Sequence, residues 1–406
     1  MSTPGIMDLT DLVTHGRLFI PPSDNTRVEA FIPTRFPANH ASQLAEAHNG
    51  DLLCVWFAGT EEGNSDVKIA LSRLPAGGDR WTEPVLISDD YTRSEQNPML
   101  FVAPDGRVWC FWTAQETRPG RRADWDKLVA SGQATGSFNK QWTSIVRRRI
   151  SEDNGHTWGP IEVAFGKPGS FIRQRIVVMS NGDRIFPFYY SLEAGGWHGD
   201  DYTVMQISSD QGKTWTEYPV PNSRGRVHAA VIELSPGRLI AFFRSRAADR
   251  IYVSRSTDYG RTWSEPVRTV LPNNNASIGA IKLASGPLAI IFNNCNAQEE
   301  DPNKTIWPRE RYPVTIALSE DEGNTWPYMR NLDAGDGFVG EANKKLNRRL
   351  EYPMIFQSRD GLIHCTYSLG QRQCIKYVRI TEAWIRDQVA QYVQNPGDDL
   401  GPAQPQ

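Results

Sequence analysis

This sequence predicts an all-β fold, a six-bladed β-propeller, and two recurring signals carry the prediction. The first is an octapeptide, S-x-D-x-G-x-T-W, at residues 151–158, 208–215, 256–263 and 319–326. The second is a glycine-centred turn between apolar runs. It occurs at Asn49-Gly50-Asp51, Asp105-Gly106-Arg107, Asn181-Gly182-Asp183, Pro236-Gly237-Arg238, Ser285-Gly286-Pro287 and Asp360-Gly361-Leu362. Asn-Gly and Asp-Gly favour two-residue hairpins because Gly takes positive φ without a Cβ clash. The flanks read as strands, for example SQLAEAH before the first turn and LLCVWF after it.

The two signals interleave. A decayed octapeptide at Ser72–Trp81 (SRLPAGGDRW) brings the copies to five, one after each of the first five hairpins. A hairpin plus two further strands joined by the octapeptide makes a four-stranded blade, and repeats of that size imply radial or stacked architecture. Six blades in a ring leave only short, protected edges. The sixth hairpin is followed by CIKYVRI, and the strand RVEAFIP (27–33) is expected to complete that blade and close the ring. Inserted loops, longest near 115–142 and 293–311, account for the irregular spacing; seven blades are the alternative if 115–142 hides one.

The domain reading follows. Residues 1–26 are an N-terminal extension, 27–380 a single propeller, and 381–406 a C-terminal helix and tail. The helix, TEAWIRDQVAQYV (381–393), has Thr381 as its cap. Within the octapeptide, Asp and Ser can bind nearby amides, Gly supplies an unusual backbone angle, and Trp offers an apolar body plus an N–H that needs a partner. Its single acidic residue and isolated Ser form neither a metal cage nor an activated nucleophile, so the motif reads as structural.

Composition narrows the function classes. A net charge of −3 without blocks of like charge gives no sign of a nucleic-acid or anionic-membrane partner. No apolar run approaches the ~20 residues of a bilayer-spanning helix. The 13 tryptophans suit β-structure and sugar-binding surfaces. Neither His-x-His nor H-E-x-x-H nor EF-hand spacing occurs, so no metal and no cofactor is expected. Cys54, Cys110 and Cys365 lie in apolar runs and read as buried thiols, while Cys365 and Cys374 flank a possible hairpin and could pair. The N-terminus lacks a basic region followed by an apolar core, so a cytoplasmic location is expected. The triplets Asn275-Ala-Ser and Asn303-Lys-Thr keep secretion, after removal of a signal, as the alternative.

A shared register points to a site. Nine residues before the hairpin Gly stand Asn97, Arg173, His228, Ser277 and Tyr352, and in the first blade Ala41, next to His40. Seven residues after that Gly stand Thr113, Tyr189, Arg244, Asn293 and Ser368. In a propeller both positions fall at one mouth of the central channel. Polar groups converging in a concave mouth are the default active-site hypothesis.

These residues match a family. The octapeptides resemble the Asp-boxes of sialidases (neuraminidases), over roughly residues 30–380. The resemblance implies a Tyr nucleophile, an Asp acid/base, and arginines holding a substrate carboxylate. RLEYPMIF is similar to the segment of the nucleophile, which gives Tyr352. IAFFRS gives Arg244 as one arginine, and RYPVTIALSEDEGNTW gives Arg311 as another. AGTEEGNSDVKIALSR resembles the acid's loop, which gives Asp66. Two positions depart. His40-Ala-Ser-Gln-Leu44 stands where the family has its first arginine. His228-Ala-Ala-Val-Ile-Glu-Leu stands where it has the Glu that takes the Tyr proton. The chain thus resembles a divergent sialidase-like branch, with Arg173 or Arg35 left to supply the missing contact.

The chemistry implied is carbohydrate-active, on an acidic oligosaccharide or polysaccharide. Guanidinium binds a planar carboxylate bidentately, which suits a terminal uronate or ulosonate. In an exo-acting glycoside hydrolase, Tyr352 attacks the anomeric carbon, His228 assists and Asp66 protonates the leaving oxygen, with Arg244, Arg311, Arg173, Asn97, Tyr189 and Arg35 around the substrate. In the alternative, a polysaccharide lyase, His40 or His228 removes the proton next to a uronate carboxylate and Tyr352 delivers one to the leaving group. A non-catalytic glycan-binding propeller is the third reading. His198, in GGWHGDD, is a further candidate for substrate contact.

Overall fold

Each of the six turn signals closes the inner hairpin of one antiparallel sheet, and the six sheets follow one another around the ring. The structure is a computed structural model describing residues 16–192, 199–297, 301–308, 310–335 and 349–387. Blade one is built from Ala38–Glu46, Leu52–Gly59, Lys68–Leu74 and Val85–Leu86. Blade two uses Arg93–Val102, Val108–Glu116, Ile145–Ser151 and Glu162–Phe165. In blade three the first strand is broken into Ser170–Ile172 and Val177–Val178, before Arg184–Tyr190, Tyr202–Ser208 and Thr216–Pro219. Blade four is Arg226–Ser235, Arg238–Ser245, Arg250–Ser256 and Val267–Pro272. Blade five is Gly279–Lys282, Leu288–Asn293, Val314–Ser319 and Tyr328–Asp333. Blade six is Glu351–Gln357, Ile363–Leu369 and Cys374–Ile380.

Blade six takes its outermost strand from the other end of the chain. Val28–Ile32 pairs with Cys374–Ile380 from Val28 opposite Arg379 to Ile32 opposite Ile375, so the ring closes as expected. Residues 115–142 hold no seventh blade. They form a helix over Arg122–Ala130 and lead into a single turn over Gln141–Thr143.

The hairpins differ from the expected two-residue form. In blade one Gly50 N donates to Ala47 O (3.0 Å) and Ala47 N to Asp51 O (2.9 Å), which makes a three-residue loop with Gly last, at φ 89°. Blades two, three, five and six repeat it. A tight turn followed by a left-handed residue is the three-residue solution, and it needs the glycine as much as the shorter loop does. Pro236-Gly237 alone forms a two-residue loop, between the paired Ser235 and Arg238.

The octapeptides join third to fourth strands in blades two to five. In blade two Ser151 Oγ donates to Asp153 Oδ1 (2.7 Å) and accepts from Gly155 N (2.8 Å). Asp153 Oδ1 also accepts from Thr157 N (2.8 Å), and its Oδ2 from Thr157 Oγ1 (2.6 Å). The Asp210, Asp258 and Asp321 copies repeat this set. The motif glycine presses on the preceding blade: a Cβ on Gly260 would lie 2.6 Å from Ile185 Cδ1, and one on Gly323 2.9 Å from Phe242. The octapeptide is therefore both a turn and a contact between blades. Of the indoles expected to find partners, Trp263 does, donating to Gly260 O (2.8 Å); buried Nε1 of Trp158 and Trp326 find none among the described residues.

The core is divided the same way, into apolar clusters filling the six blade interfaces. The five cysteines are buried free thiols, so the possible Cys365–Cys374 bond is absent. They sit on adjacent strands but out of register, Cys365 facing Val378 and Cys374 facing Leu369. The C-terminal helix is Glu382–Arg386, with Thr381 Oγ1 accepting from Trp384 N (3.1 Å). The remainder of the predicted 381–393 helix beyond Asp387, the tail, and His198 lie outside the described residues.

Candidate active site

The shared sequence register becomes a shared backbone irregularity. Nine residues before the hairpin glycine, Ala41 (φ 57°), Asn97 (46°), His228 (55°) and Tyr352 (54°) all take the left-handed conformation. Each sits in a β-bulge, where pairing skips from His40 to Gln43, Gln96 to Met99, Val227 to Ala230 and Glu351 to Met354. A bulge bends the strand and re-aims its side chain. Such a backbone costs about 1–3 kcal/mol per residue and persists only where the surroundings enforce it. Arg173 and Ser277 hold the same position in blades three and five, next to first strands cut short at Ile172 and begun late at Gly279.

Tyr352 is the hub. Its ring centroid is 4.2 Å from that of His40 and 5.7 Å from that of His228. The guanidinium carbons of Arg173, Arg244 and Arg311 lie 5.4, 5.3 and 5.4 Å from it. Arg244 Nη1 donates to the phenol oxygen at 2.6 Å, while Nε is held by Asn275 Oδ1 at 2.8 Å. Arg244 Nη2 and Arg311 Nε have no hydrogen-bond partner among the described residues. Burial opposes ionisation of the Tyr352 phenol, but Arg244 and Arg311 outweigh it and hold the phenol below its ordinary value.

The remaining expected residues divide. Asn97, Tyr189, Arg244, Arg311 and Tyr352 line a cavity of about 350 Å³ at the mouth. Arg173 lies beneath it and is spent on the chain, donating to Ala41 O, Ser42 O and Tyr352 O at 3.1–3.3 Å. Arg35 is exposed and stacks on Phe36 (5.5 Å), so neither supplies a cavity arginine. His40 is buried, bonded to Ser368 Oγ (2.9 Å) and 3.5 Å from Glu351. His228 is buried beside Tyr189 (5.3 Å) and meets Tyr352 ring against ring, while the phenol oxygen is held by Arg244. Burial, then Arg244 and Arg246, keep His228 neutral, its affinity for a proton well below the ordinary imidazole value. The cation Arg244, rather than an imidazole base, thus addresses the phenol oxygen of Tyr352. Asp66 stands off the cavity wall, accepting from Thr60 N (3.0 Å) and Thr60 Oγ1 (2.9 Å).

Several cavity residues escaped the sequence reading. Glu62, from the loop that also carries Asp66, is the carboxylate on the wall. Its Oε2 accepts from Arg372 Nη1 (2.5 Å); burial opposes its ionisation, but Arg372 and Arg122 hold it below the usual carboxylate range. Arg246, Arg349 and Arg372 add cations, and Trp307 adds a ring 5.3 Å from Arg244 and 5.2 Å from Arg246. Behind the wall, fully buried Glu351 accepts from Arg349 and Arg372 (both 2.6 Å) and lies 3.6 Å from Arg311. Asp201 answers Arg246 at 2.6 Å. Adjacency was the available signal: Glu351 precedes Tyr352, Arg246 follows Arg244 by two, and Glu62 precedes Asp66 by four. Nothing local marks Arg372, which reaches the mouth from the loop joining Ile363–Leu369 to Cys374–Ile380 in blade six.

Fold and site together define an Asp-box propeller with an arginine-lined central mouth. The chain belongs to the BNR repeat-like domain family, whose profile it matches over residues 50–365. It is 30% identical over 324 residues to a sialidase of Bacteroides fragilis (strain YCH46), covering 72% of this chain and 55% of that protein. It is 27% identical over 219 residues to an anhydrosialidase of Macrobdella decora, covering 47% and 26%. The chain thus spans about half, or less, of the curated relatives it matches. Among solved structures, the Hadza microbial sialidase Hz136 superposes with a TM-score of 0.65 at 19% identity, covering 86% of this chain and 66% of that one, a likeness of fold.

Proposed function

We propose that the chain is a sialidase-like glycoside hydrolase that removes a terminal acidic sugar, a uronate or ulosonate, from a glycan. One observation carries this reading: the phenol oxygen of Tyr352 is bonded to Arg244 in a cavity where Arg244 and Arg311 keep free donors. A phenol is a poor nucleophile near its free pKa of about 10 and needs a cation or base beside it. Arg244 and Arg311 fill that role and also fit a planar carboxylate.

Tyr352, having released its phenol proton to solvent under the pull of Arg244 and Arg311, attacks the anomeric carbon through Oη as the glycosidic bond breaks, leaving the sugar on Tyr352. Asp66, expected as the acid, stands off the cavity wall whereas Glu62 is on it, so the proton for the leaving oxygen comes from Glu62. Resting Glu62 is ionised; a substrate carboxylate entering the cavity raises its affinity for a proton, which it takes up from solvent before passing it to the leaving oxygen. The anion left behind activates the water that frees the sugar, so one carboxyl serves as acid and then as base.

The test is a screen of sialylated and uronate-terminated glycans with wild type and Tyr352→Phe. Release of a reducing acidic sugar by the wild type, reduced at least ~10²-fold in the variant, is the expected result. A product with the ultraviolet absorption of an unsaturated uronate would replace hydrolysis by β-elimination. Tight glycan binding without turnover would make this a binding propeller.

A further inference from the structure

We propose that the blade-two insertion, residues 117–143, is a subsite for the leaving group and binds the hydroxyls of a neutral second sugar. The inference rests on the hydrolase reading above. The insertion interrupts blade two between Val108–Glu116 and Ile145–Ser151 and puts Arg122, Asn139 and Gln141 on the cavity wall. In a six-membered ring blade two faces blade five, so this wall stands across from Trp307 and Arg311.

The wall is polar and unsatisfied. Asn139 Oδ1, Gln141 Oε1 and Arg122 Nε are buried with no hydrogen-bond partner among the described residues, and Asn139 is only 7% exposed. A buried polar group with an unmade bond is destabilising, and such groups are normally paired. Arg122 Nε lies 3.7 Å from Glu61 and Asn139 Oδ1 packs on Gly63, so it is the side-chain amides of Asn139 and Gln141, both on the cavity wall, that have hydrogen-bonding capacity left for a ligand. Their chemistry selects it. The opposite wall is cationic and suits a carboxylate; the side-chain amides of Asn139 and Gln141, donor and acceptor both, suit hydroxyl groups.

The wall is also built in advance. Arg118 lies 4.0 Å from the Trp125 ring and 5.8 Å from that of Trp142, and donates to Ser137 O at 3.2 Å. Trp125 Nε1 donates to Gly136 O at 3.1 Å. Arg122 Nη2 donates to Glu62 O at 2.9 Å, tying the insertion to the loop that carries the acid. Gly63 allows the approach: at φ +101°, its missing Cβ would lie 2.0 Å from Asn139 Oδ1. Glu62, held by the insertion on one side and Arg372 on the other, sits at their junction, where a departing oxygen needs its proton.

The experiment compares substrates that share the acid and differ in the leaving group. The kcat/KM for sialyllactose and for a glucuronate-terminated disaccharide is divided by that for the methylumbelliferyl glycoside of the same acid. In Gln141→Ala and Asn139→Ala this ratio is expected to fall about tenfold from wild type, the effect of about one hydrogen bond. Melting curves confirm that the variants fold, and Gln141→Ala serves where Asn139→Ala does not. An unchanged ratio, whether both substrates suffer equally or neither does, overturns the subsite. Should the wild type cleave none of these compounds, the hydrolase reading fails by itself. Calorimetric titration with the disaccharide and the methyl glycoside of its acidic sugar then decides: tighter disaccharide binding, lost in Gln141→Ala, keeps the subsite, and equal or absent binding overturns it.

Discussion

The two faces of this ring solve opposite problems. On the hairpin face, four octapeptide turns use the same Ser, Asp, Gly and Thr to satisfy one another, and the Gly packs on the preceding blade. On the other face, one strand position carries Ala41, Asn97, Arg173, His228, Ser277 and Tyr352. Four of these share a strained backbone, and bonds around them stay open. The lesson is that repetition with closed bonding marks scaffold, whereas a shared register filled with different polar residues marks a site.

The sharpest way to break this comparison is Tyr352→Phe, which removes one oxygen and keeps the ring. Glycan cleavage should fall by at least ~10²-fold with the melting temperature nearly unchanged. A variant that melts much lower but retains turnover would make Tyr352 a packing residue.

Arg244→Gln should act on the same atom. Without that cation the phenol pKa rises, so the acid limb of the kcat/KM profile moves to higher pH. Ultraviolet titration against Tyr352→Phe reads the phenol directly. No movement would mean that Arg244 does not govern its ionisation.

On the hairpin face the signs reverse. Gly260→Ala forces a side chain onto φ +80° and toward Ile185. It should lower stability by about 1–3 kcal/mol with kcat/KM within about twofold. Denaturant unfolding and an activity assay at a temperature where the variant is folded would check both halves.

The last effect appears only in acid and concerns His364, on the second strand of blade six. Its Nδ1 pairs with Tyr377 Oη and its Nε2 with Ser358 Oγ, both at 2.7 Å. Burial pushes its pKa from 6.5 down to about 4, with Asp360 opposing and Arg379 adding. The unfolded chain therefore binds the proton first as pH falls. Stability present above about 6.5 should decline between about 6.5 and 4, and His364→Gln should flatten that slope. Equal slopes in the two proteins would assign the acid loss to other groups.

How far the sequence could be read depends on distance along the chain. The octapeptides and hairpin glycines are local devices, since a turn's hydrogen bonds close within a few residues. Their count and order set the blades, the closing strand at 27–33 and the common register of Asn97, His228 and Tyr352. The loop length was misjudged because Gly suits both the two- and three-residue forms.

Charges at the mouth are of another kind. Whether an arginine faces substrate or is consumed by the chain depends on groups far away in sequence. Arg173 is bound by backbone oxygens of blades one and six, and Arg372 is placed by Glu62 and Glu351. Asp66 and Glu62 are four residues apart, yet Thr60 engages one and Arg372 turns the other to the cavity. The sequence by itself determined the blades and the position each offers to the center, because short-range bonding and backbone conformation decide both. Only the tertiary structure decided which of the offered groups remain open for chemistry, because electrostatic partners and burial come from all six blades at once.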